Sequence, residues 1–364
     1  MKGTADKPFI TTLKEKCRVC YTCVRECPSK AIRIADGQAE VVPERCIGCG
    51  NCVRVCSQHA KQAASSIDRV RKLFTNNHTV TACIAPSFPA EFPEVDYREL
   101  VGMIRKLGFA AVHEVAFGAD LVAHEYTRLL AENPDKRFIA TSCPGVVGYV
   151  ERYEPEMVDH LAPIVSPMVA CARVMHRIHG DDAKVVFLGP CIAKKVESAS
   201  ANLPDDVDEA LTFVELRQMF VAAGITPESV EPVEFDGPYP NLGALFPITR
   251  GMLQAADIEE DLMSGNVVSA AGRQSFVEAI REFASGDMEA RLLEVLCCDG
   301  CIMGAGMSSQ APLFSRRGKV SEYVRKRMHE IDKAQWKAEL ERFADIDLAR
   351  NYTVNDQRIP APRE

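Results

Sequence analysis

The sequence predicts an α/β protein: a small α+β module at the N-terminus, then a larger domain of parallel sheets flanked by helices. Two observations carry this. From residue 79 onward, strand patterns alternate with helix patterns, the signature of a largely parallel sheet covered by helices. Before it, the first sixty residues hold an internal repeat, CRVCYTCVREC from Cys17 and CIGCGNCVRVC from Cys46, offset by 29 residues. The expected division is residues 1–60 as the cysteine module, 61–78 as a linker helix, 79–315 as the main domain and 316–364 as a C-terminal helix and tail.

Within the module, AIRIADGQAEVV alternates apolar and polar residues around Asp36-Gly37, which reads as a β-hairpin. Residues 57–78 read as a helix and linker. VTACIAP then forms a strand ended by Pro86, and YRELVGMIRKLG a helix stopped at Gly108. FAAVHEVAFG reads as a strand and ADLVAHEYTRLLAE as a helix. RFIATSCPG is a strand whose Pro144 suits the first position of a helix. AKVVFLGPC is a further strand opening into a cysteine loop. LTFVELRQMFVAAG and QSFVEAIREFASG are helices. SEYVRKRMHEIDKAQWKAELERFA, amphipathic and charged, reads as a solvated surface helix, and DQRIPAPRE as linker.

A net charge of −8 over 364 residues argues against nucleic acid as a partner, because phosphate binding needs a basic face. No apolar run reaches the ~18 residues that span a bilayer, and MKGTADKPFITTLKEK lacks a signal-peptide core. A cytoplasmic, membrane-free protein is expected. Fifteen cysteines in a reducing compartment point to metal rather than disulfides.

Cys17-x2-Cys20-x2-Cys23-x3-Cys27 and Cys46-x2-Cys49-x2-Cys52-x3-Cys56 have the spacing of the bacterial two-cluster ferredoxin, in which the fourth cysteine of each run ligates the other cluster. One 4Fe–4S cubane takes Cys17, Cys20, Cys23 and Cys56. The second takes Cys46, Cys49, Cys52 and Cys27. Structural zinc is the alternative, but it does not need two matched runs of four. Paired cubanes make an electron relay.

Seven cysteines remain. Cys83 and Cys171 sit in apolar runs and read as small buried hydrophobes. Cys143, Cys191 and the pair Cys298 and Cys301 sit in Gly- and Pro-rich loops, and together supply the four thiolates of a further cubane.

These loops carry a family resemblance. TSCPGVV (141–147), GPCIAKKVE (189–197) and EVLCCDGCIMGAG (294–306) are similar to the three cysteine signatures of FeFe hydrogenases, TSCCPxW, PCxxKxxE and ExMACxxGCxxGGG. IAPS (84–87), FGADLVAHE (117–125) and SPM (166–168) extend the likeness across nearly the whole chain. The resemblance implies an H-cluster, a cubane joined through one cysteine to a diiron centre bearing CO and cyanide. Cys143, Cys191 and Cys298 would then be cubane ligands and Cys301 the bridge. Lys194 would donate to a cyanide, with Glu197 positioning it. Ser87, Pro167 and Met168 would line the diiron pocket, and Glu125 matches a carboxylate of the proton path. A solvated or salt-bridged Glu125 is the plainer reading.

Three departures stand out. The first signature has one cysteine where the family has two, so the thiol that relays protons is missing. Such relays contribute about 10²–10⁴-fold, so slow turnover is expected. Cys298-x2-Cys301 is one residue short, although Cys297-x3-Cys301 restores the spacing and leaves Cys297 as an alternative ligand. Gly189 and Met168 replace residues flanking the diiron. These changes resemble a divergent, sensory branch of the family.

Two functions follow. The first is a slow or sensory oxidoreductase acting on H2 and protons, exchanging electrons with a redox protein such as ferredoxin in an anaerobic setting, and leaving open a signalling output partner. The second is a non-enzymatic iron–sulfur protein for electron transfer or cluster delivery, with a third 4Fe–4S cluster and no diiron.

Overall fold

The computed structural model describes residues 9–76, 78–200, 202–203 and 206–358. Its N-terminal module rests on four short strands, β1 (Ile10–Thr12), β2 (Ile32–Ala35), β3 (Gln38–Val41) and β4 (Lys61–Ala63). β2 and β3 form the antiparallel hairpin around Asp36-Gly37, with Ala35 opposite Gln38. Both turn residues have positive φ, the geometry that matches strand twist in a two-residue hairpin.

β4 pairs antiparallel with β1, so the expected helix over 57–78 is corrected. Only Ile67–Thr75 is helical, and the module's own pairing extends to Ala63. The cause is local. Lys61 is buried, and its ammonium donates to Thr12 Oγ1 (2.5 Å) and the Ala39 carbonyl (2.9 Å), holding the segment against the hairpin.

The main domain carries β5 (Val80–Ile84), β6 (Ala111–Glu114), β7 (Phe138–Ile139), β8 (Lys184–Gly189), β9 (Glu209–Thr212), β10 (Val267–Ala271) and β11 (Leu292–Leu296). They form two parallel sheets, β6-β5-β8-β9 and β10-β11-β7. All five residues of β5 and of β11 are buried, as both faces of such sheets are covered. The expected strand over 109–118 ends early. The chain passes from Glu114 straight into the helix Val115–Glu132.

The tail departs most from expectation. It forms two helices, Leu313–Glu330 and Lys333–Arg342, the second capped by Asp332, whose side chain accepts from the amides of Ala334 and Gln335. The first is no solvated helix. It buries Arg316, Val320, Val324 and Arg327, because Arg316 donates to the carbonyls of Ile302 and Ala311 and Arg327 pairs with Glu234.

Residues 345–358 then return across the domain as a strap. The Val165 amide donates to Leu348, the Arg350 amide to Pro163, and the Asn355 and Gln357 amides to Glu151 and Arg152. Of the stretch read as linker, residues 359–364 lie outside the described residues. Among the described residues no helix is long and apolar enough to cross a membrane.

Candidate metal centre

Parallel strands present their carboxyl ends, and the loops leaving them, to a common crevice. Here both sheets aim at one place. β5 runs into Ala85-Pro86-Ser87, β8 into Pro190-Cys191, β7 is followed by Ser142-Cys143, and β11 leads to Cys298 and Cys301. Cys143 is the N-cap of the helix Pro144–Tyr153, with Pro144 in its first turn.

Residues of these loops enclose a cavity of ≈ 80 Å³ whose wall includes Ser87, Cys143, Pro167, Met168, Cys191, Lys194 and Cys301. Thiols from three separate stretches, at 143, 191 and 301, therefore share one pocket. Cys298 lies within electrostatic reach of Cys191 and Cys143, and Cys301 of all three. These four could hold a cubane.

Burial pushes Cys191 up to about 11 and Cys298 up to about 12, and lifts Cys301 well above the thiol range. Cys143 goes the other way, to about 6. A hydrogen bond with the Cys297 thiol outweighs its burial.

Cys297 sits between Cys143 of this set and Cys49 of the N-terminal module. A Cβ on Gly145 would meet Cys297 Sγ at 2.9 Å and Cys49 Cβ at 3.7 Å, so only a glycine lets those parts approach so closely.

In the module, Cys23 feels the charges of Cys56, Cys17 and Cys20. Cys52 feels Cys46 and Cys27, and Cys49 feels Cys27, Cys52 and Cys46. The two crossed sets of four are thus each brought together. Amides of Ala31, Gly48 and Ala60 donate to the sulfurs of Cys27, Cys46 and Cys56 at 3.3–3.4 Å, which stabilises thiolate and tunes any cluster held there. Cys20 is solvent-exposed. The second loop abuts the segments that carry Cys191 and Cys301, since a Cβ on Gly50 would stand 2.6 Å from Ala305 and 2.9 Å from Ile192. Cys83 and Cys171 are buried core residues.

Lys194 Nζ donates to Ser166 Oγ (2.7 Å) and Glu197 Oε2 (2.6 Å). An ammonium has three protons, which leaves one for the cavity that Lys194 lines. Ser87 Oγ is buried with no hydrogen-bond partner, in a wall otherwise mostly apolar. A polar atom orphaned in a pocket wall is the mark of a site shaped for a ligand with an acceptor. The four thiols, the fixed cation and this hydroxyl fit a cubane joined to an anionic, acceptor-bearing group.

Glu125 is not brought to this cavity. Its carboxylate takes Arg128 at 2.6 Å on a half-exposed helix face. At Gly189 the ring of Phe187 occupies the room that a side chain would need.

Four contributors escaped the sequence reading. Ser142 lines the cavity directly before Cys143. The fully buried Tyr126 hydroxyl contacts Thr141 Oγ1 at 3.1 Å and accepts from the Thr141 amide at 2.8 Å. Ser166 precedes the SPM proline and could have been found there. Arg350, on the strap, reaches Glu197 Oε1 at 2.6 Å, and nothing local in the sequence marks it.

Residues 78–305 match the family model described as iron only hydrogenase large subunit, C-terminal domain, and residues 10–57 match a 4Fe-4S dicluster domain. The chain is 27% identical over 307 residues to iron hydrogenase 1 of Clostridium pasteurianum, covering 68% of this chain and 53% of that protein. It thus spans about half that relative's length. It is 30% identical over 290 residues to the periplasmic Fe hydrogenase large subunit of Nitratidesulfovibrio vulgaris, covering 70% and 68%. A shorter match, 28% over 160 residues and 39% of this chain, is to a probable cytosolic Fe-S cluster assembly factor of Drosophila ananassae. Among solved structures, an FeFe hydrogenase of Chlamydomonas reinhardtii shares the fold, with a TM-score of 0.65 at 15% identity, covering 80% of this chain and all of that one.

Proposed function

The chain belongs to the iron-only hydrogenase large-subunit family, and from that premise we propose that it interconverts H2 with protons and electrons, slowly, as an iron–sulfur oxidoreductase. One observation carries the reading. Lys194 is clamped by Glu197 and Ser166 with a proton to spare at the cavity wall, beside the unpartnered Ser87 hydroxyl. Merely holding a cubane requires neither.

In this reading Cys143, Cys191, Cys298 and Cys301 would hold a cubane and its attached diiron group, which would supply the chemistry that forms or splits H2. Lys194 and Ser87 would donate hydrogen bonds toward that group, and Pro167, Met168 and Phe187 would keep water out. A dry site strengthens such charge-assisted bonds.

Cys17, Cys20, Cys23 and Cys56 would hold one cubane, with Cys20 at the exposed edge facing a redox protein, and Cys27, Cys46, Cys49 and Cys52 a second. The close approaches at Gly145 and Gly50 would bring that second cubane near the cysteines of the cavity. Ser142 is the protic group nearest the ligating Cys143 in sequence and stands in the wall. A hydroxyl is a far weaker acid than a thiol, which accounts for slow turnover. That rate suits an H2 sensor in an anaerobic cytoplasm, with an output partner.

The second reading is a cluster-bearing protein without the diiron group. The match to a cluster assembly factor and the serine at 142 favour it. Infrared spectroscopy of anaerobically matured protein decides between them, because CO and cyanide absorb where no protein group does. Such bands support the first reading, and their absence at full iron loading leaves the second.

A further inference from the structure

Lys194 and Glu197 alone would form a neutral pair, and a neutral pair is a poor anchor for an anion. The carboxylate, one hydrogen bond behind the ammonium, cancels most of its pull. Glu197 is shared, however. Its side chain is 1% exposed, with Oε2 taking Lys194 at 2.6 Å and Ser166 Oγ at 3.1 Å, while Oε1 takes Arg350 Nη1 at 2.6 Å. Buried Arg350, Glu197 and Lys194 together carry one net positive charge beside the cavity.

We propose that Arg350, carried on the C-terminal strap, is a positioning residue that neutralises Glu197 and so leaves the Lys194 charge for an anionic ligand in the cavity. The proposal rests on the hydrogenase reading and extends it to the far end of the chain.

The plain alternative is that Arg350 only fastens the strap. The strap does not need it. Leu348, the Arg350 amide itself, Asn355 and Gln357 are tied by main-chain bonds, and the Tyr352 hydroxyl donates to the Ile164 carbonyl at 2.7 Å. The guanidinium instead lies 4.8 Å from the Tyr352 ring centroid, which fixes it over Glu197. Its side chain is 9% exposed, and placing a cation so deep is costly unless its charge is used.

The test takes the full chain with its three cubanes reconstituted and no diiron. Two quantities are read: capture of a synthetic diiron complex bearing two cyanides, and the midpoint potential of the cubane on Cys143, Cys191, Cys298 and Cys301. Arg350→Gln keeps a donor to Glu197 and removes the charge. It should weaken capture by about 10–100-fold, the usual cost of losing a partner behind a metal-site residue, and lower the potential. Arg350→Lys should restore both. In a Glu197→Gln background, Arg350→Gln should change capture less than in the native background. Hydrogen exchange over 345–358 checks that the strap stays seated.

Unchanged capture and potential in a seated Arg350→Gln variant overturns the proposal. So does an equal loss in both backgrounds, since Arg350 would then not act through Glu197. If the native chain captures no complex, the hydrogenase reading fails, and the potential alone decides the role of Arg350.

Discussion

Cys297 hydrogen-bonds Cys143 from the side facing Cys49, while its neighbour Cys298 lies within reach of Cys191 and Cys143. The two adjacent thiols of the third signature thus point to different tasks. In protein reconstituted with cubanes and no diiron, Cys298→Ser should lose the third cubane, with iron falling from about twelve to about eight per chain at four per cubane. Cys297→Ala should keep about twelve but shift that cubane to a more negative potential, because its ligand Cys143 loses a hydrogen bond. Iron analysis and a redox titration check both, and the opposite pattern of iron loss would assign the ligand to Cys297.

What the sequence made legible was local. Ferredoxin spacing is fixed by a short loop wrapping a cube, so the intervals alone propose how eight cysteines divide into two sets. β5, β8 and the helix at Pro144 announced themselves through apolar runs and punctuation. The rest depends on distant chain. β7 has two residues and exists because β11 lies beside it. Arg327 lies in a stretch that reads as solvent-facing, yet a carboxylate elsewhere in the chain pairs with it and buries it. Arg350 and Glu197 are 153 residues apart, so their pairing has no period or motif. Glu125, matched by motif likeness to a proton-path carboxylate, pairs with Arg128 in the structure, which is the plainer of the two readings the sequence allows.

Ser142 occupies the cavity wall where the family resemblance calls for an acidic thiol. A thiol ionises near 8.5, whereas a serine hydroxyl does not do so in the working range. Ser142→Cys should therefore raise H2 evolution by about 10²-fold or more, the lower end of what general acid–base relays contribute. Ser142→Ala should lower it. The assay is H2 release with a reduced one-electron carrier, with infrared bands confirming equal loading. Equal rates in all three proteins would remove Ser142 from the proton route.

Gly50 has φ +75°, and a Cβ there would stand 2.6 Å from Ala305 and 2.9 Å from Ile192. Gly50→Ala combines left-handed backbone strain with overpacking, each costing about 1–3 kcal/mol. The module should lift from the segments that carry Cys191 and Cys301. Stopped-flow reduction should then show the two N-terminal cubanes filling at the native rate while the third lags. A third cubane that fills as fast as before would mean that electrons do not cross this contact.

Glu114, at the end of β6, gives a pH dependence with a definite sign. Burial pushes its carboxyl up to about 7, against the opposing influence of Arg327 and of the Tyr323 hydroxyl, which donates to Oε1 at 2.7 Å. Oε2 is buried without a partner. In the unfolded chain the same group ionises near 4.3, so folding favours the protonated form. Its contribution is whole below that value and is lost as the pH rises toward 7, by about 4 kcal/mol at most. Glu114→Gln keeps the shape and cannot ionise. Its thermal midpoint relative to the native chain should rise between pH 5.5 and pH 8, corresponding to about 2 kcal/mol. An advantage that is the same at both pH values would place the Glu114 titration outside this range and leave Tyr323 bonded to an ordinary carboxylate.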